Sequence, residues 1–193
     1  MAPFYDSIVA RGSQSLRQQS LRELEQISLS EANILIDGIG SGLDIPFLPH
    51  GPHYTGIDLT PSMLNRAKKH ICNRNVTLEN GDAMSLKFDD NAFDVVIMHL
   101  ILAVVPSPPK ALSEASRVLK PNGLILIMDK FLRPAQFAPI RRLVNPVMSR
   151  IATNTNVIFE DVLSHCPQLN MIKDQPSIMN GWFRQIVLKK SIE

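Results

Sequence analysis

Short apolar runs and amphipathic stretches alternate along this chain. The apolar runs predict five strands, at residues 34–36, 53–58, 76–79, 93–100 and 124–129. Apolar residues at helical spacing predict helices at residues 13–29, from Pro61 onward and at residues 109–119. Strands that alternate with helices in this way predict an α/β fold, a Rossmann-like, mostly parallel sheet with helices on both faces.

The last third of the chain is less regular. Three prolines interrupt the segment 131–158, and proline limits the length of any continuous helix there. A helix is predicted at residues 159–165. Two extended segments, near 171–173 and 182–188, predict a terminal antiparallel pair of strands.

The length of 193 residues predicts a single domain with a full core. We divide it into an N-terminal arm and helix at 1–30, a cofactor-binding core at 33–130, a cover on the substrate side at 131–158, and a C-terminal helix with strands at 159–193.

The composition narrows the class of protein. A net charge of +2 gives no argument for nucleic acid as a partner. Cys72 and Cys166 lie far apart without metal-ligand spacing, which favours a reducing cytoplasmic location and predicts no metal site. The chain has neither a secretory signal pattern nor the run of about 18 apolar residues that a spanning helix needs.

The first predicted strand ends in a glycine loop. Gly38, Gly40 and Gly42 follow one another at every second position, directly after Asp37. A dinucleotide site needs G-x-G-x-x-G, and Leu43 occupies the place of its third glycine. The spacing therefore disfavours a nicotinamide-dependent oxidoreductase and favours a loop that holds S-adenosylmethionine.

Acidic residues stand at the ends of the first three predicted strands. Asp37 ends the first, Asp58 lies 20 residues after Gly38 at the end of the second, and Asp82 follows the third. In an open α/β sheet the ligand binds beyond the carboxyl ends of the strands. Asp58 there is suited to ribose hydroxyls and Asp82 to an adenine amine, while Met63 is placed to pack against the adenine ring.

Five motifs occur in one order along the chain: Ile-Asp-Gly-Ile-Gly-Ser-Gly at 36–42, Gly-Ile-Asp-Leu-Thr-Pro-Ser-Met-Leu at 56–64, Asn-Gly-Asp-Ala at 80–83, Phe-Asp-Val-Val-Ile-Met-His at 93–99 and Leu-Lys-Pro-Asn-Gly at 119–123. In these motifs the chain resembles the class I S-adenosylmethionine-dependent methyltransferases. The resemblance covers roughly residues 33–130 and implies a seven-stranded sheet whose last strand is antiparallel.

The resemblance implies a set of cofactor-binding residues: Tyr5, Asp37, Gly38, Gly40, Gly42, Asp58, Leu59, Met63, Asp82, Ala83, Met98 and His99. Tyr5 is included because the Phe-Tyr-Asp start resembles enzymes in which a tyrosine covers the cofactor. One position departs from the family, whose acid stands two residues before the first glycine. That position is Ile36 here, and the acid comes one residue later at Asp37.

The motif around 98–106 and the Asp-Lys-Phe-Leu-Arg-Pro segment at 129–134 resemble bacterial phosphatidylethanolamine N-methyltransferases and the ubiquinone/menaquinone C-methyltransferase (methyltransferase type 11) group. This resemblance implies methyl transfer to a small-molecule or lipid-headgroup acceptor. The shifted acid keeps open an alternative, a partner subunit that binds S-adenosylmethionine without catalysis. Residues 131–158 allow two interpretations: a lid or interfacial segment whose apolar residues face lipid and whose arginines face anionic headgroups, or a proline-kinked cover that packs on its own domain. The second is favoured, so at most a peripheral membrane contact is expected.

His99 is the candidate catalytic residue, because it ends the fourth predicted strand where a methyl group would face. Two interpretations stay open: a general base, or a histidine that lines the pocket or bonds a backbone carbonyl. Asp129 and Lys130 end the fifth predicted strand. They are candidates either for contacts with the substrate or for a surface ion pair or turn cap. Methyl transfer from a sulfonium depends mainly on positioning, so a catalytic base is optional.

Overall fold

The computed structural model describes residues 14–26, 31–131, 157–176 and 183–192. Seven strands form one sheet: β1 Asn33–Asp37, β2 His53–Asp58, β3 Val76–Asn80, β4 Phe93–His99, β5 Leu119–Lys130, β6 Leu169–Pro176 and β7 Phe183–Lys190. The helices are α1 (residues 14–21), α2 Pro61–Ala67, α3 Pro108–Val118 and α4 Phe159–Leu163, with 3-10 turns at Arg22–Gln26, Ile45–Phe47 and Lys68–His70.

The strand order across the sheet is β3-β2-β1-β4-β5-β7-β6. Strands β1 to β5 are parallel, and β7 runs antiparallel to both of its neighbours, β5 and β6. The predicted α/β sheet with an antiparallel end is confirmed. The chain passes outward from β1 to β3 and then returns to β4 on the other side of β1, so β1 and β4 flank the point where a ligand crevice opens.

The two faces of the sheet bury separate apolar clusters. Ile34 and Ile36 of β1 pack in the cluster that includes Leu21, Leu24 and the buried residues of α2. Leu35, between them, belongs to the opposite cluster with α3 and α4. This alternation follows from the period of two residues in a strand, and it places helices on both faces as the sequence predicts.

Strand β5 begins earlier than predicted. The proline and glycine of the Lys-Pro-Asn-Gly segment at 120–123 favour a turn that closes the preceding helix. In the structure this segment lies inside β5, and the register with β4 shifts between the pairs Phe93–Leu119 and Val95–Leu124. Asn122 takes a left-handed φ of 63°. A Cβ on Gly123 would stand 2.8 Å from the carbonyl oxygen of Asp94. The turn residues therefore form a bulge in a continuous strand.

Smaller differences lie at the ends of elements. Thr60 precedes α2, but its side chain makes no capping hydrogen bond. Helix α4 ends at Leu163, before the predicted end at residue 165. The predicted cover at 131–158 lies outside the described residues except at positions 131, 157 and 158, and Tyr5 also lies outside them.

Candidate functional site

A cavity of about 460 Å³ opens at the carboxyl ends of β1, β2 and β4. Of the predicted cofactor-binding residues, it is lined by Asp37, Gly38, Gly40, Asp58, Leu59, Met63, Asp82, Ala83 and His99. Two predicted residues stand apart from it: Gly42 is not in the lining, and Met98 is fully buried in the α3-side core. The sheet thus gathers residues from separate motifs into one crevice of the size that small ligands occupy.

The three loop glycines differ in what a side chain at their position would contact. All have positive φ, at 75°, 57° and 81° in chain order. A Cβ on Gly38 would stand 2.6 Å from Ile101, and one on Gly42 would stand 2.8 Å from the Cα of Ala67 in α2. A Cβ on Gly40 would meet nothing within 4 Å. Gly38 and Gly42 therefore allow close packing of the protein on itself, whereas Gly40 faces open space in which a ligand can approach the backbone.

Asp58 is held by the backbone on both carboxylate oxygens. Its Oδ2 accepts the Gly40 N–H at 2.9 Å, and its Oδ1 accepts the Thr60 N–H at 2.8 Å. These bonds join the end of β2 to the glycine loop and fix the direction of the carboxylate. Each oxygen keeps a lone pair for a ligand hydroxyl, as expected for a group that binds ribose.

Asp82 is fixed in a tight turn after β3. Its Oδ1 accepts the Met84 N–H at 2.8 Å, and its carbonyl oxygen accepts the Ser85 N–H at 2.9 Å. The other carboxylate oxygen has no bond of this kind among the described contacts, so the side chain retains acceptor capacity beside the cavity.

Asp37 is fully buried at the end of β1. Within the described part of the chain, neither of its carboxylate oxygens has a hydrogen-bond partner. Burial raises the pKa of Asp37 to about 7, and the nearby charges of Asp82, Asp58 and Glu114 add to this shift. The carboxyl group is therefore poised to exchange a proton near neutral pH.

His99 belongs to a buried polar network. Its Nδ1 lies 2.8 Å from Oδ1 of Asp44, and its Nε2 lies 3.0 Å from Oγ of Ser20 in α1. Asp44 also accepts a hydrogen bond from Nη1 of Arg17 at 2.7 Å. Burial opposes ionisation of Asp44, but His99 and Arg17 outweigh it and hold the pKa of Asp44 well below its usual range.

The network bears on both interpretations of His99. His99 lines the cavity, but both of its ring nitrogens have side-chain partners, and neither bonds a backbone carbonyl of the residues that the structure describes. Its role as a base stays a prediction. Sequence reasoning missed Ser20, Arg17 and Asp44, since no local signal links residues that stand 27 to 79 positions from their partners.

The loop after β4 forms the far wall of the cavity. Leu100 takes a left-handed φ of 60°, and its N–H donates to the carbonyl of Met128 at 2.8 Å. Oδ2 of the buried Asp129 accepts the Ala103 N–H at 3.0 Å. Burial raises the pKa of Asp129 to about 6. Asp129 is thus an internal anchor for this loop instead of a surface ion pair.

Two further properties concern only the residues that the structure describes. None of the helices among them is long and apolar enough to cross a membrane. Within the same ranges, no group of three or more His, Cys, Asp or Glu side chains is arranged to hold a metal ion.

Residues 36–127 match a family model described as a methyltransferase domain. This match spans less than half of the chain and marks the segment from β1 to β5 as similar to a methyltransferase domain. The matched span runs from the last part of β1 through most of β5, and so includes the glycine loop, Asp58, Asp82 and His99. This match agrees with the prediction of a methyltransferase.

Two curated relatives show how far this methyltransferase resembles named enzymes. It is 27% identical over 184 residues to a phosphatidylethanolamine N-methyltransferase of Cereibacter sphaeroides. The aligned region covers 93% of the chain and 89% of the relative. It is 42% identical over 76 residues to a demethylmenaquinone methyltransferase of Staphylococcus epidermidis, a match that covers 39% of the chain and 32% of that relative.

Solved structures share the fold at low identity. An arsenic(III) S-adenosylmethionine methyltransferase from Chlamydomonas reinhardtii matches with a TM-score of 0.64 and 21% identity, over 83% of this methyltransferase and 64% of that chain. The cyclase SpnF matches with a TM-score of 0.70 and 18% identity, over 93% and 80% of the two chains. Because differently named enzymes share this fold, the acceptor has to be argued from the site.

Proposed function

We propose that this methyltransferase transfers a methyl group from S-adenosylmethionine to a small-molecule or lipid-headgroup acceptor by in-line displacement. The observation that carries the proposal is that acidic and exposed apolar residues line the same cavity. Asp37, Asp58 and Asp82 belong to the lining, and so do Leu59 and Val104, which are 67% and 44% exposed and form an apolar rim. Such a rim favours an acceptor with an apolar part.

The polar groups that line the cavity fit the parts of the methyl donor. Gly40 leaves room for a ligand against the backbone, and Asp58 is oriented to accept ribose hydroxyls. Asp37 offers a cationic group a buried carboxyl that has no hydrogen-bond partner among the described residues. When bound, S-adenosylmethionine supplies a methyl group on a positively charged sulfur that an acceptor displaces directly.

In this proposal the protein contributes position more than acid–base chemistry. The loop anchored by Asp129 and the rim at Val104 confine the acceptor, which reduces the entropy cost of alignment. His99 acts as a positioning residue, because both of its ring nitrogens are engaged by Asp44 and Ser20. An amine acceptor would then lose its proton to solvent.

The identity of the relative that matches along 93% of the chain supports a lipid headgroup as one acceptor class. The proposed setting is cytoplasmic, with at most a peripheral contact to a membrane and no nucleic-acid partner. A peripheral contact would let the apolar rim meet a headgroup at the lipid surface.

The test is transfer of an isotope-labelled methyl group to three acceptor classes: phosphatidylethanolamine in vesicles, demethylmenaquinone in detergent, and water-soluble amines. We expect label in one class only. Asp58→Ala should abolish the transfer, while Asp89→Ala, an exposed acid outside the cavity, should leave it unchanged. Binding of the cofactor product without transfer to any class would favour a non-catalytic partner subunit.

A further inference from the structure

Arg117, near the end of α3, has its whole guanidinium group engaged. Its Nε and Nη2 donate to the two carboxylate oxygens of Glu114, each at 2.9 Å. Nη2 also donates to the Leu86 carbonyl at 3.0 Å, and Nη1 donates to the Phe88 carbonyl at 2.9 Å. A fifth bond runs from Nη1 to Oδ1 of Asp90 at 2.7 Å. A guanidinium has five N–H groups, so these bonds use its full donor capacity.

The bonds attach α3 to the β3–β4 connection, which is the segment 81–92. This segment consists of turns, a bend and an isolated bridge. Besides the carbonyls that Arg117 binds, Glu114 accepts the Leu86 N–H at 2.8 Å, and the carbonyl of Arg117 accepts the Asn91 N–H at 3.1 Å. Helix α3 therefore holds the main chain of an irregular segment at residues 86, 88 and 91.

The same connection begins as a wall of the cavity. Asp82, Ala83 and Met84 line the cavity, and Leu86 follows two residues later. The Asp82 carboxylate accepts the Met84 N–H, so its direction depends on where the main chain lies at residue 84. A displacement of the main chain at Leu86 would therefore reach the Asp82 carboxylate within four residues.

Packing on the other side of the connection is incomplete. A small cavity of about 30 Å³ lies between the connection and the ends of β2 and β3, where Ile57, Gly81 and Phe88 are among its lining residues. Protein interiors otherwise have few voids of this size. Because this side is not filled, the hydrogen bonds from α3 are the contacts that fix the position of the segment.

We propose that Arg117, together with Glu114, is a positioning residue for the nucleobase end of the cavity. It holds Asp82 where the second carboxylate oxygen accepts a hydrogen bond from the exocyclic amine of adenine. The proposal rests on the proposed function, since it takes the cavity to be the site of the methyl donor. Neither Arg117 nor Glu114 is in the cavity lining, so both act through Asp82. A purine with a keto oxygen in place of the amine would set one acceptor against another.

The test is calorimetric titration with S-adenosylhomocysteine and S-inosylhomocysteine, which differ in the group at position 6 of the purine. We expect the wild-type protein to bind the adenosyl ligand about 10- to 100-fold more tightly. Arg117→Gln should weaken the adenosyl ligand by about tenfold and the inosyl ligand by less than about threefold. Lys120→Ala removes a partly exposed ion pair with Asp94, and as a control it should change neither affinity.

A double-mutant cycle tests whether Arg117 acts through Asp82. Asp82→Ala should remove most of the preference for the adenosyl ligand, and Arg117→Gln added to it should not change the remaining preference. A purely structural role would instead weaken both ligands equally, with or without Asp82. Equal weakening of the two ligands, or an unchanged preference in a folded Arg117→Gln protein, would overturn the proposal.

A second variant covers the case in which Arg117→Gln does not fold, as thermal unfolding would reveal. Glu114→Gln keeps the size of the side chain and removes the charge that two N–H groups of Arg117 contact. It should lower the preference for the adenosyl ligand by about threefold or more. An unchanged preference in this variant would also overturn the proposal.

The outcomes separate this proposal from the proposed function. If neither ligand binds the folded wild-type protein, the cavity is not the donor site and both proposals fail. If the wild-type protein binds the two ligands equally, the role of Arg117 at the nucleobase fails, while the cavity remains the donor site.

Discussion

Nδ1 of His99 lies 2.8 Å from Oδ1 of Asp44, at the meeting point of β4 and the segment that follows the glycine loop. The other oxygen of Asp44 binds Arg17 of α1, so this carboxylate joins three parts of the chain beneath the cavity. All three side chains are nearly inaccessible to solvent. Asp44 is therefore the member whose removal affects both of the other side chains.

Asp44→Asn should destabilise the protein by about 3 kcal/mol, because it removes the buried carboxylate charge that both Arg17 and His99 contact. Urea unfolding at neutral pH measures this loss. The exposed Asp89→Asn substitution, as a control, should change the free energy of unfolding by less than about 0.5 kcal/mol. A loss of under about 1 kcal/mol in Asp44→Asn would show that the network contributes little to stability.

His99→Gln should lower kcat by about tenfold or less and leave the shape of the pH–rate profile unchanged. The reason is that a positioning residue changes alignment, whereas a base also sets the acidic limb of the profile. The measurement is kcat against pH for both proteins, with the acceptor that the labelling experiment identifies. Loss of the acidic limb in the variant would instead assign general-base catalysis to His99.

The stability of the ligand-free protein should fall as pH rises from about 5 to 8, through the raised pKa of Asp37 near 7. Folded Asp37 holds its proton more tightly than the unfolded chain, whose aspartate titrates near 3.8. Its stabilisation is therefore complete below about pH 4 and is lost as the buried group ionises.

The Asp37→Asn variant tests whether ionisation of Asp37 causes this fall in stability, because an amide in the same place does not ionise. Between about pH 5 and 8, the free energy of unfolding should fall by about 2 to 3 kcal/mol less in the variant than in the wild-type protein. Denaturant unfolding at each pH measures this difference. Asp129, with a pKa raised to about 6 by burial, contributes in the same direction and remains in both proteins. An identical slope in wild type and variant would exclude Asp37 as the source.

Gly40→Ala and Gly38→Ala should fail in different ways. A Cβ at Gly38 collides with Ile101 at 2.6 Å, so its alanine variant should lose stability by about 2 kcal/mol or more. A Cβ at Gly40 meets no protein atom within 4 Å, so its variant should fold with only the cost of its positive φ.

Binding distinguishes the two glycines further. Gly40→Ala should weaken the binding of S-adenosylhomocysteine by at least about tenfold, because the added methyl group occupies the space in which the ligand approaches the backbone. Thermal unfolding and calorimetry on the same samples provide both readouts. Normal binding by a folded Gly40→Ala protein would place the ligand away from this loop.

Asp129→Ala should loosen the loop after β4. Its carboxylate accepts the Ala103 N–H, so the substitution leaves a backbone donor without its partner and should cost about 2 kcal/mol. Hydrogen exchange at residues 100–106 should accelerate more than exchange in α3. Uniform acceleration across the protein would mean that Asp129 supports the whole fold instead of this loop.

The order of strands and helices could be predicted from the sequence, because buried faces place apolar residues at the characteristic spacing of a strand or a helix. Runs such as Val95 to Met98 are apolar since both faces of a central strand are covered, and the glycines of the loop after β1 stand where φ is positive. The bulge in β5 was missed because Pro121 and Gly123 give the same local signal in a turn and in a bulge, and only the pairing with β4 distinguishes them.

By itself, the sequence determined the glycine loop, the acids at the strand ends and the class of cofactor, since these depend on residues close together in the chain. The tertiary structure alone decided which partners those residues have. Ser20 and Arg17 reach His99 and Asp44 because α1 packs over the ends of the strands. Asp37 lies near other acids and has no hydrogen-bond partner within the described part of the chain. Contacts between distant segments follow from packing, which no local pattern records.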